Sequence, residues 1–203
     1  MSHIISVIGN KGGTGKTTIS QMLAHGLGLL GRRSMAVLTD AAREPLDGDS
    51  RRYSTYDGRM PDRLRKAVSL FRTMPGVIGV IDGGGNRPHF DRTIYEMSDL
   101  VLLPFRDSHE DIRTVRRDLD TFPRAFGVPS QWPGNPWQQM VAERTLDEHM
   151  QAYRPRLIDP VYAISASKLL LEMKVPPSLP AQLNNVCRRL AMQVLDHLEP
   201  DSP

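Results

Sequence analysis

Cysteine is nearly absent from this chain of 203 residues: Cys187 stands alone. That excludes an internal disulfide framework and any cysteine-based metal or cluster site within one subunit. It also points to a reducing, cytoplasmic setting. Long hydrophobic runs are missing too, since no stretch approaches the roughly 18 uninterrupted apolar residues of a membrane span. The opening MSHIISVIGNKGG has no basic segment ahead of an apolar one, so no secretory signal is expected. Lysine is scarce: Lys11, Lys16, Lys66, Lys168 and Lys174 stand against 21 arginines. Where such a chain keeps lysine, a slim point charge can serve better than a planar fork. What remains, 39% hydrophobic and 24% charged, is the composition of an ordinary globular protein, and the length suits one domain spanning residues 1–203.

Short apolar runs alternate with helical stripes. Ile4–Ile8, Met35–Leu38, Val77–Ile81, Leu100–Leu103 and Val161–Ile164 read as strands, the fourth stopped by Pro104. Helices are expected over 17–30, from Pro61 onward, near 89–97, from about Ser108 with Ile112, Val115, Leu119 and Phe122 inward, near 143–152, and over about 180–198. The last carries Leu183, Val186, Cys187, Leu190, Ala191 and Val194 on one face. Its polar face has few cations, so it reads as a helix docked on the domain rather than a membrane anchor. Residues 41–60 read as a long loop and 127–137 as a Pro/Gly-rich break, with Trp132 and Trp137 packing in it. The implied fold is α/β, a doubly wound and mostly parallel sheet with helices on both faces.

Residues 9–18, G-N-K-G-G-T-G-K-T-T, follow a strand and open a helix, which is the G-x-x-x-x-G-K-[ST] phosphate loop in its required context. Its glycines let successive N–H groups turn toward phosphate oxygens, and the helix adds its positive end. Gly12, Gly13, Thr14, Gly15, Lys16, Thr17 and Thr18 are therefore the candidate nucleotide-binding residues. Lys16 should reach the β- and γ-phosphates of ATP, and the Thr17 hydroxyl should ligate Mg²⁺. Asp82 ends a strand ahead of three glycines, where phosphate and metal collect in a parallel sheet, and is the second candidate metal residue.

The form K-G-G-x-G-K-[ST], here Lys11–Thr17, resembles the deviant Walker A of the ParA/MinD family of ATPases. The resemblance covers residues 3–112 by motif and implies a P-loop fold of the SIMIBI type. It further implies an ATP-dependent homodimer in which Lys11 of one subunit reaches the phosphates of the other. Asp82 matches the family's Walker B acid. Asp40 matches its D-x-D-P-Q element in one of two registers. Ungapped, Asp40 takes the water-positioning place and Leu38 the first acid's; shifted by one step, Ala42 falls on the catalytic place. The catalytic candidates are thus Lys11, Lys16 and Asp40.

The family reading implies a slow ATPase that binds DNA without sequence preference and positions a plasmid, chromosome locus or protein cargo. A ParB-like partner would stimulate it, and no membrane would be involved. Arg113, Arg116, Arg117 and nearby Arg124 offer one basic patch, although Asp118 and Asp120 interleave and Arg116 can pair with Asp120. Arg154, Arg156, Lys168, Lys174, Arg188 and Arg189 are equal candidates, and Arg51 and Arg52 are expected to face solvent. Two other classes stand beside this one. A nucleotide-stapled adaptor with weak hydrolysis would suit the missing acid at Leu38. A metabolic enzyme that phosphorylates a carboxylate would draw on Arg87 and His89. The six histidines have no metal-ligand spacing.

Overall fold

The computed structural model describes residues 2–85 and 87–199. Seven strands form one parallel sheet in the order β3-β2-β4-β1-β5-β6-β7. They are β1 (His3–Val7), β2 (Arg33–Leu38), β3 (Ser54–Asp57), β4 (Val77–Asp82), β5 (Leu100–Phe105), β6 (Ala125–Trp132) and β7 (Val161–Tyr162). The helices are α1 (Lys16–Leu29), α2 (Pro61–Thr73), α3 (Pro88–Met97), α4 (His109–Thr121), α5 (Pro136–Met150) and α6 (Ala181–Leu198).

The continuous apolar runs are explained by burial on both faces. Ile5, Val7, Leu100 and Leu102 pack with α1 and α6, while Ile4, Ile8, Val101 and Leu103 pack with α2, α3, α4 and α5. α6 docks on α1 so closely that a Cβ at Gly26 would stand 2.0 Å from the Cys187 carbonyl oxygen. Only glycine fits that crossing. The helix also buries the Cys187 thiol, pushing its pKa up to about 12.

Several sequence expectations are corrected. Within 41–60, residues 54–57 form β3, paired in parallel from Met35↔Ser54 to Leu38↔Asp57. Residues 127–132 belong to β6, and Trp132 is core rather than loop. Pro104 does not stop β5, which runs to Phe105. The Leu102 carbonyl accepts from Ile8 N at 3.0 Å, so Leu102 and, two residues on, Pro104 face β1. The paired run of β1 against β5 ends at Val7↔Leu102, so the proline falls just past the last rung of that ladder. α5 also starts earlier than its periodicity implies. Asn135 caps it by accepting from Trp137 N at 2.9 Å, and Pro136 fits the first turn. Trp137, expected to pack in a loop, is instead exposed on this helix. β7 spans only two residues, and Ser165–Leu171 continues as a 3₁₀ helix.

Candidate nucleotide-binding site

The loop from β1 to α1 sits at the carboxyl ends of β1, β2, β4 and β6. Gly13 (φ 76°) and Gly15 (φ 88°) take left-handed conformations that side chains disfavour. The loop's carbonyls are tied off by side chains. Thr14 O accepts from Ser130 Oγ at 2.6 Å, Gly13 O from Gln131 Nε2 at 3.0 Å, and Lys11 O from Lys16 Nζ at 2.6 Å. Among the described residues the N–H groups of Gly12, Gly13 and Gly15 donate to nothing, which leaves them for an anion. Gln131 reaches the loop from an irregularity in β6, where its backbone is left-handed (φ 53°), a strained position for a side-chain-bearing residue.

A cleft of about 350 Å³ lies over this loop, lined by Gly12, Gly13, Gly15, Lys16, Thr17, Thr18, Asp40, Arg43, Gly84, Gly85 and Gln131. The sequence-derived binding residues therefore converge, except that the Thr14 side chain packs behind the loop, its hydroxyl donating to Lys11 O at 3.4 Å. Asp40 lies on the cleft wall and Ala42 does not.

Lys16 is nearly enclosed, and burial lowers its pKa against the opposing pull of Asp91, Asp82, Asp118 and Asp111. Asp82 is 1% exposed at the end of β4. One oxygen accepts from Gly84 N at 3.4 Å, while Oδ2 has no protein partner. Burial raises its pKa, and the Thr17 hydroxyl against it works in the other direction. A hydroxyl beside an unpartnered carboxylate oxygen is a pair of hard donors that fits Mg²⁺. No cluster of three or more His, Cys, Asp or Glu suited to a metal occurs among the described residues; an ion held by Thr17 and Asp82 would draw its other ligands from phosphate and water.

Lys11 is turned inward to its own chain, where its Nζ stands 2.5 Å from Glu110 Oε1 on the first turn of α4. Two neighbouring acids were not legible as parts of the site. Asp118 accepts from the Asn10 side chain at 2.7 Å and from Asn10 N at 3.3 Å, bracing the loop. Asp91 on α3 is 1% exposed with both oxygens unpartnered, and burial pushes its pKa up to about 6. Their only sequence signal was position: each lies on the apolar stripe of its helix.

The structure also reassigns several arginines. Arg51 does not face solvent as expected; it donates to Leu170 O at 2.7 Å and Glu172 O at 2.5 Å. Arg156 donates to the carbonyls of Ala125, Leu119 and Phe122, and Arg154 and Arg189 are paired with acids. Arg87 bridges Gly83 O and Thr39 and stacks on Phe90 at 4.4 Å. It is a clamp between loops. The expected Arg116–Asp120 pair is not among the ion pairs of the described residues, and Asp120 accepts from the Tyr153 hydroxyl.

No family model and no curated protein matches the chain. Solved structures do. The cell division ATPase MinD of Pyrococcus furiosus superposes with a TM-score of 0.71 at 17% identity, over 97% of this chain and 99% of that one. A protein described as a plasmid partition protein of Borrelia burgdorferi, bound to AMPPNP, gives 0.69 at 12% over 97% and 99%. This chain has the MinD/ParA fold. Cobyrinic acid a,c-diamide synthase of Mycobacterium smegmatis, with ADP and magnesium, gives 0.67 at 15% over 100% and 97%. The MinD/ParA fold is thus shared by proteins of different activity, and the roles of individual residues must come from the cleft itself.

Proposed function

We propose that the chain is a one-domain, ATP-driven switch that pairs with a second copy of itself and hydrolyses ATP slowly. The observation that carries this is the cleft, where free loop N–H groups, Lys16, Thr17 and the unpartnered Asp82 oxygen converge. In this reading Lys16 leaves Lys11 O to meet the β- and γ-phosphates, and Thr17 and Asp82 hold Mg²⁺. The metal, when bound, neutralises charge that builds on the phosphate oxygens. Asp40 orients the attacking water. Lys11 leaves Glu110 to reach the nucleotide of the second copy, adding a cation where transition-state charge develops.

Binding to DNA without sequence preference fits the exposed Arg113, Arg116 and Arg117 of α4. Among the described residues none of the three has a carboxylate within ion-pair distance, unlike Arg92, Arg106 and Arg154. A cytoplasmic, nucleoid-associated positioning role with a ParB-like stimulating partner follows from that reading. No helix among the described residues is long and apolar enough to cross a membrane.

Light scattering of the chain with no nucleotide, Mg-ADP and Mg-ATP is the test, repeated on Lys11→Ala and Lys16→Ala. An ATP-specific dimer lost in both variants is expected. Monomers under every condition would sink the switch reading. The diamide synthase's place among the neighbours keeps one second reading, a metabolic ATP-dependent enzyme. Against it, Arg87 is consumed as a clamp and is not free to bind a substrate.

A further inference from the structure

We infer that Arg43 is the residue by which this cleft distinguishes ATP from ADP. The inference rests on the nucleotide-binding reading above and adds a residue that no motif marked. The cleft lining holds two cations, Lys16 from the phosphate loop and Arg43 from the segment after β2. Arg43 stands beside one acid of the site and near another. Its Nε lies 3.4 Å from Asp40 Oδ2, and its charge reaches the buried Asp82, where it opposes the rise that burial causes.

The backbone at Arg43 is held while its side chain is free to move. Arg43 N donates to Asp40 O at 3.2 Å, closing a turn. Arg43 O accepts from Arg59 Nη1 at 3.1 Å, and Arg59 is itself fixed on Asp57 by bonds of 2.8 and 3.0 Å. The side chain is 48% exposed, and an exposed ion pair such as its contact with Asp40 contributes little to stability. A terminal phosphoryl group entering the cleft brings two negative charges in a geometry a guanidinium can grip bidentately. Arg43 then exchanges Asp40 for the γ-phosphate. That exchange frees the Asp40 carboxylate for the attacking water only when the third phosphate is present. With ADP the pair with Asp40 persists.

The test is the affinity of the chain for fluorescent ATPγS and ADP analogues with Mg²⁺, at protein concentrations where scattering reports monomer. Wild type, Arg43→Ala and Arg43→Lys are compared, with matched circular dichroism melts to verify folding. Arg43→Ala should lower the ATPγS-to-ADP affinity ratio about tenfold or more, with ADP affinity unchanged. Arg43→Lys should lie between, since it keeps charge and loses the fork. An unchanged ratio in Arg43→Ala overturns the inference, as does an equal loss for both nucleotides, which would mark a structural role. Failure of wild type to bind either nucleotide would instead overturn the nucleotide reading itself.

Discussion

Asp118 and Asn10, 108 residues apart, are joined twice: the carboxylate takes the Asn10 side-chain amide at 2.7 Å and its backbone N–H at 3.3 Å. A buried acid on α4 thereby sets the entry of the phosphate loop. Asp118→Ala leaves both Asn10 donors without their acceptor, which should destabilise the fold by about 2–3 kcal/mol. Chemical denaturation would read that loss. Nucleotide titration should show weaker binding with the ATP-to-ADP preference intact, because the change loosens the loop and spares the γ-phosphate contacts.

Asp91 yields a pH prediction. Its carboxyl titrates near 3.8 unfolded and is pushed up to about 6 by burial in the fold, with Lys16 and Arg87 pulling the other way and Asp118 adding to the rise. Between those values the folded chain holds more protons than the unfolded one, so stability falls as pH rises through that window. Above it the whole penalty is present. Asp91→Asn should therefore raise stability at neutral pH by up to about 3 kcal/mol, and the gain should fade toward acid. Melting curves of both proteins from mildly acid to mildly alkaline buffer would check it. A gain that does not change with pH would contradict the assignment.

At Gly26 the expectation is steric. A methyl group there would meet the Cys187 backbone at 2.0 Å, and backbone cannot rotate away as a side chain can. Gly26→Ala should destabilise by about 1–3 kcal/mol, although alanine is the better helix former. Reaction of Cys187 with a thiol reagent offers a second readout. The thiol is buried and held neutral in the native chain, so it should be inert there and become reactive as α6 loosens in the variant.

The arginines of α4 predict a salt dependence. If Arg113, Arg116 and Arg117 each neutralise one DNA phosphate, replacing all three with alanine should flatten the slope of log affinity against log salt by about 2–3. Binding should weaken evenly across DNA sequences, as phosphate contacts carry no base information. Retention of full affinity and slope would move the DNA surface elsewhere. Arg188 and Lys174 would be next, since Arg154, Arg156 and Arg189 are already engaged by the chain.

Much of this site could be read before folding was considered, and the reason is locality. Residues 9–18 compress the glycine loop, the helix start and the Thr17 hydroxyl into one stretch. Asp82 announces itself by ending an apolar run. What escaped depends on contacts between distant segments. Asp118 reads as an acid interleaved with the arginines of its helix and Asp91 is not singled out, because composition cannot tell an acid on the inner stripe from one outside. Ser130 and Gln131 were hidden in a segment rich in proline and glycine. Proline tolerance in a strand depends on which neighbour is present at that rung, a property of the assembled sheet. β3 was lost for a similar reason: as a four-residue edge strand, it has too few positions to display a period.

The Arg51 clamp has a consequence for how any signal leaves the cleft. By gripping the carbonyls at 170 and 172 it anchors the far end of the segment that begins at Asp40, while the Thr39 hydroxyl, bonded to Asp82 O at 2.6 Å, anchors the near end. Residues 40–50 lie between these anchors and are tied part-way, where Arg43 O accepts from Arg59 Nη1 at 3.1 Å and Leu46 O from Thr55 Oγ1 at 2.9 Å. A pull on the Arg43 backbone is therefore passed through Arg59 to Asp57 at the end of β3 instead of being absorbed by the whole segment sliding. The near anchor is β4 at its Asp82 end, and the far one reaches the 3₁₀ turn packed beside α1. Movement at Arg43 is thus referred to the end of β3 on one side and, through Arg51, to the 3₁₀ turn on the other.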